Sequence, residues 1–198
     1  SLVGSEMCIR DRLREYETPF YLYDMELLRR TVECALREAD RYGYRLHYAM
    51  KANNDRRIME FIASCGMGAD CVSGNEVRRA IETGFAPKDI VYAGVGKKDS
   101  EIIYALRQGI FAFNCESKNE LVVIDALARE LGVVADVALR INPDIDPHTH
   151  SYITTGLSEN KFGISPREIT DVVGMLGDLR NIDIMGLHFH IGSQITDL

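Results

Sequence analysis

Lys51 is the residue of this sequence with the most chemistry in reach. It closes the apolar run Leu46-His47-Tyr48-Ala49-Met50, has no acid beside it, and is followed by Ala52-Asn53. A lysine where a buried strand meets its loop has two physical outcomes. It reaches solvent or a distant carboxylate, because a buried ammonium needs a partner. Otherwise a poorly solvated pocket favours the neutral amine, and the residue becomes a nucleophile able to form a Schiff base with a carbonyl. Two other stretches bear on the choice. His188 and His190 are two apart, so on a strand they face the same way. With a carboxylate nearby such a pair can ligate zinc, and His148-x-His150 would add to it. The Gly192-Ser193 turn that follows offers backbone N–H groups and a hydroxyl instead, which suit a phosphate.

The elements that must carry these residues alternate. Strands are expected at 46–50, 68–72, 90–93, 111–114, 137–141 and 184–190, with helices at 55–64, 74–83, 99–107, 118–131 and 165–177 between them. Ahead of the series, residues 18–24 read as an aromatic-rich strand, and Asp24 as the N-cap of a helix over 25–41. Gly66, Gly84, Gly109 and Gly132 each follow a helical run, where a glycine stops the helix cheaply. Strand–helix alternation means right-handed βαβ units and a parallel sheet. A doubly wound sheet would want a glycine-rich phosphate turn after the first strand, and Met50-Lys51-Ala52-Asn53 is not one. The expectation is therefore an α/β fold, a (β/α)8 TIM-type barrel with about six of its units present.

Composition narrows the function classes. The chain has 198 residues, 46% hydrophobic and 27% charged, enough for a substantial core. A formal charge of -7 provides no basic face for nucleic acid or an anionic membrane. No apolar run reaches the ~20 residues of a membrane span, and the cytoplasm is the expected compartment. Cys8, Cys34, Cys65, Cys71 and Cys115 are odd in number and contain no C-x-x-C, so reduced thiols are expected. Residues 1–11 have no periodicity and read as an unmatched, artefactual leader, leaving 12–198 as a partial barrel domain.

In barrels the chemistry sits where the carboxyl ends of the strands converge. Those ends carry Lys51, Asp70-Cys71, Gly94, Asn114-Cys115-Glu116, Arg140-Ile141-Asn142 and the His188 to Ser193 run. That is too polar for a merely structural rim. Taken singly, Glu116 reads as a helix cap, and Cys71 and Cys115 as small core residues. A lysine amine, a flat imidazole and a phosphate-holding turn together describe a site for pyridoxal phosphate. A metal hydrolase built on His188 and His190, and a non-catalytic pyridoxal-phosphate carrier, stay as alternatives.

Five motifs carry a resemblance: Tyr48-Ala49-Met50-Lys51-Ala52-Asn53, Gly68-Ala69-Asp70-Cys71-Val72-Ser73-Gly74-Asn75-Glu76, Leu139-Arg140-Ile141-Asn142-Pro143, Asn160-Lys161-Phe162-Gly163 and Gly186-Leu187-His188-Phe189-His190-Ile191-Gly192-Ser193-Gln194. From about Thr18 onward the chain resembles the fold-type III pyridoxal-phosphate-dependent decarboxylases. Its Asp146 to Gly156 stretch looks like the diaminopimelate branch rather than the ornithine, arginine or carboxynorspermidine branches. The resemblance implies that Lys51 carries the cofactor, His190 stacks on its ring, and Gly192 and Ser193 bind its phosphate. It implies that Asp70 and Arg140 lie beside the cofactor, that Glu76 stands behind them, and that Lys161 is near a subunit interface. The implied reaction converts meso-diaminopimelate to L-lysine and carbon dioxide, in a homodimer. No metal is implied. A phosphate-binding loop, an acid for the pyridine nitrogen, a catalytic cysteine and a small β domain would lie beyond Leu198. The chain thus reads as an N-terminal fragment, expected to be inactive by itself.

Overall fold

The computed structural model describes residues 13, 14, 16–142 and 162–191. Helix α1 (Met25–Asp40) is followed by β1 (His47–Ala49), a 3-10 turn (Met50–Ala52) and α2 (Arg56–Ser64). Next come β2 (Gly68–Cys71), α3 (Gly74–Glu82), β3 (Ile90–Tyr92), α4 (Asp99–Gln108), β4 (Ala112–Cys115) and α5 (Lys118–Leu131). The series closes with β5 (Ala135–Ile141), α6 (Ile169–Leu176) and β6 (Ile182–Phe189).

The helix starts follow from side chains that satisfy free N–H groups in the first turn. Asp24 accepts from the Glu26 and Leu27 amides, Asp55 from those of Arg57 and Ile58, Ser73 from that of Glu76, and Ser117 from that of Glu120. The six strands are all parallel and hydrogen-bond in the order β1-β2-β3-β4-β5-β6. A doubly wound sheet would reverse its strand order at a switch point; this one steps steadily outward, as a barrel wall does. One face of β5 (Val137, Leu139, Ile141) is buried in a core that includes Leu121, Ile124 and Ala128 of α5. The opposite face turns toward the barrel interior.

Residues 18–24 are not a strand. Tyr21 is 89% exposed, and the segment pairs with no strand among the described residues. It docks by one side chain instead: the Tyr23 hydroxyl accepts from Asn53 Nδ2 at 3.0 Å. The β-propensity of its aromatics does not by itself make a strand.

The packing generates a stability test. Leu121 is completely buried in the core whereas its neighbour Val122 is 46% exposed. Leu121→Ala should cost about 2–5 kcal/mol in chemical denaturation of the whole protein. Val122→Ala should stay within about 0.5 kcal/mol of the parent.

Candidate active site

Lys51 does not end the strand; it sits on the 3-10 turn just past β1. That turn is anchored from several sides. Met50 points inward, 1% exposed, its Sδ 3.3 Å from Cys71 Sγ on the neighbouring strand. The Tyr48 hydroxyl donates to the Asn53 carbonyl at 2.8 Å, and Asn53 Oδ1 accepts from the Asp55 amide at 2.9 Å. Lys51 is therefore carried on an anchored base.

It lines a cavity of about 310 Å³ shared with Asp70, Arg140, His188 and His190, walled by Val72, Val95 and Phe162 and floored by Ala93 and Gly94. Five of the residues that the strand ends suggested thus meet in one place. Gly192 and Ser193 lie outside the described residues, as do Lys161 and the 143–161 segment. Gly94 has φ +92°, a conformation that side-chain-bearing residues rarely adopt, and a Cβ there would press on the Val72 carbonyl oxygen at 3.0 Å.

Burial pushes the Asp70 carboxyl above the usual carboxylate range. The Lys51 charge opposes this most, with His47 and Arg140 behind it, while Glu76 adds to the rise. Glu76 also ties down the end of β2, accepting from the Val72 amide at 2.7 Å. Cys71 and Cys115 are completely buried and their thiols are pushed up by that burial, which makes them packing residues rather than nucleophiles.

Arg140 is held by a residue that the sequence suggested only as a cap. Its Nη1 lies 2.6 Å from Glu116 Oε1, with side-chain exposures of 11% and 5%. Ser117 is the cap, and Glu116 projects toward the interior instead. Behind it stands Lys97, its side chain 1% exposed, paired with Glu120 at 2.6 Å and donating to the carbonyls of Gly94 and Asn114. The other oxygen of Glu120 accepts from the Glu116 amide at 2.7 Å. Phe162 covers the guanidinium, its ring centre 5.6 Å from Arg140 Cζ. Gly163 brings it there: the 162–164 segment hydrogen-bonds to the end of β5, and a Cβ on Gly163 would meet the Arg140 carbonyl oxygen at 2.9 Å. Lys97 escaped the sequence reading, in which Glu116 is a cap and Phe162 only part of a motif. Lys97 lies in a loop rather than at a strand end, and no local pattern marks which acid a buried arginine will choose.

The two histidines reach the cavity because β6 carries a bulge. Val137 pairs with Ile184, but the next residue, Ala138, pairs with Gly186. One extra residue on β6 reverses its side-chain alternation. Without it His188 would share the face of Ile182 and Ile184, which pack against the core. With it His188 stands in register with Arg140, and Leu187 with Leu139. Burial lowers the His188 pKa below its usual 6.5, with Arg140 adding to the fall and Glu116 opposing it.

These donors fit pyridoxal phosphate. One primary amine faces the cavity for its aldehyde, an imidazole can cover a flat ring, and a glycine floor admits it closely. Among the described residues, no three His, Cys, Asp or Glu side chains gather into a metal site. A guanidinium beside His188 is also an unfavourable neighbour for a cation.

The sequence model of the family described as "Pyridoxal-dependent decarboxylase, pyridoxal binding domain" matches residues 27–198. The diaminopimelate decarboxylase of Bacteroides thetaiotaomicron is 50% identical over 189 residues, 95% of this chain and 49% of that protein. That of Helicobacter pylori strain J99 is 42% identical over 92% of this chain and 45% of its own length. The chain thus spans about half the length of the curated relatives it matches. The solved structure of the Helicobacter pylori diaminopimelate decarboxylase complexed with L-lysine superposes with a TM-score of 0.84 at 39% identity. That match covers 96% of this chain and 48% of the other.

Two outcomes follow from the charges. Arg140→Met strands a buried carboxylate and should cost about 3–5 kcal/mol, whereas pairing it with Glu116→Leu should restore most of the loss; denaturation midpoints of the two variants decide. His47 and His188 both have lowered pKa values, each chiefly through burial. The unfolded chain then binds more protons than the folded one below pH 6.5. Stability should therefore fall as pH drops through that value, and His188→Gln should flatten the fall. Thermal melts across the range measure it.

Proposed function

The chain belongs to the pyridoxal-binding domain family of the pyridoxal-dependent decarboxylases, and we propose that the protein converts meso-diaminopimelate to L-lysine and carbon dioxide. One observation carries the reading: Lys51, Asp70, Arg140, His188 and His190 converge on a single cavity at the carboxyl ends of parallel strands. The choice of substrate leans on relatives named diaminopimelate decarboxylase at up to 50% identity.

Bound here, pyridoxal phosphate supplies an electron sink for the electron pair left behind when a carboxylate departs as carbon dioxide. Lys51 would provide the primary amine that holds the cofactor by its aldehyde. Asp70, which feels the Lys51 charge more than any other, orients that amine. His190, which lines the same cavity, would cover one face of the ring and keep water off it. Arg140, clamped by Glu116, keeps a fixed positive charge at the wall. Gly192 and Ser193 would hold the phosphate in this reading. A homodimer of the whole protein and a cytoplasmic setting belong to the same proposal. The free thiols of Cys34, Cys65, Cys71 and Cys115 suit a reducing compartment.

In the whole protein, Lys51→Ala should remove the visible absorption of the lysine-bound cofactor and bring turnover to background. Borohydride should bleach the parent irreversibly. Assayed against meso-diaminopimelate, ornithine, arginine and carboxynorspermidine, the parent should favour the first by kcat/KM. Unchanged turnover in Lys51→Ala would overturn the reading, and preference for another substrate would reassign it within the family.

A further inference from the structure

Two buried polar atoms near the cavity have no hydrogen-bond partner among the described residues: Glu116 Oε2 and His188 Nδ1. They flank the same guanidinium. Glu116 spends its other oxygen on Arg140 at 2.6 Å, and His188 is the register partner of Arg140 on the next strand. One atom can only accept when the carboxylate is ionised; the other can donate or accept, depending on which ring nitrogen carries the proton.

We propose that Glu116 sets the tautomer of His188, taking the Nδ1–H as donor, directly after a small rotation or through one water, and leaving Nε2 as a bare acceptor facing the cavity. Glu116 is a positioning residue in this scheme. Its carboxylate cannot turn away, because Oε1 is committed to Arg140 and its backbone amide to Glu120, itself pinned by Lys97. The bulge and the pairing with Arg140 set His188 on the same face of the sheet as that guanidinium. The lowered His188 pKa, from burial first and Arg140 second, keeps the ring neutral, which a tautomer requires. His190 and Lys97 push the same way and Glu116 alone opposes.

An Nε2 lone pair in the cavity recognises an N–H or O–H donor, and by the reading above that donor is the amino group of the amino-acid ligand or of Lys51. The ligand's identity rests on that reading; the tautomer does not.

The whole protein, labelled with ¹⁵N-histidine and prepared without cofactor, tests this by two-bond ¹H–¹⁵N correlation near neutral pH, with His188→Gln to assign the signal. His188 should show the Nδ1–H pattern, which is the minority form of free histidine. Glu116→Gln should invert it to Nε2–H, because the amide keeps its oxygen on Arg140 and turns an N–H donor toward the ring. An Nε2–H pattern in the parent, or an Nδ1–H pattern that survives Glu116→Gln, overturns the proposal. If Glu116→Gln fails to fold, the parent spectrum decides by itself. Since no cofactor or turnover enters the measurement, an error in the decarboxylase reading leaves its outcome untouched.

Discussion

Parallel hydrogen bonding in unbroken sequence order is the constraint from which the rest follows. Each strand must run the same way as its neighbours, so each helix has to carry the chain back to the starting side. All six carboxyl ends therefore arrive on one rim, and residues scattered from Lys51 to His190 become neighbours. The helices enter this scheme mainly as return paths with one apolar face. Their contribution to the chemistry is indirect: the first turn of α5 supplies Glu120, which fixes the backbone of Glu116.

Charge organises the rim once the ladder has assembled it. Arg140 and Lys97 are nearly buried cations, and each would be costly without a carboxylate in contact. Glu116 and Glu120 meet that need, joined to one another through a backbone amide. The result is a braced wall on one side of the cavity, with Lys51 and Asp70 opposite it. A preorganised wall of this kind suits a site that must hold charged groups at fixed positions, since the cost of ordering is met during folding.

Much of this architecture was legible in the chain. Asp24 announces a helix start because a short acceptor side chain before an amphipathic run satisfies orphan amides locally. Strand–helix alternation indicated a parallel sheet, and Lys51, Asp70, Arg140, His188 and His190 could be picked out as residues at strand ends. Residues 18–24 misled for a physical reason. Aromatic content reports suitability for a sheet, while a strand also needs a partner strand to pair with, and that pairing is not written in the segment itself. Glu116 misled similarly: next to Ser117 it resembles a cap, and its bond to Arg140 spans 24 positions that no local rule connects.

The sequence by itself determined the elements, their order and the class of chemistry at the strand ends, because those depend on periodicity, capping and residue type. Only the tertiary structure decided which face of β6 meets the cavity. The period of two says that His188 and His190 agree with each other; the bulge opposite Val137 and Ala138 says that they agree with Arg140. Pairing across strands is a property of two distant segments at once, and so are the ion pairs that brace the rim. Neither can be read from one segment alone.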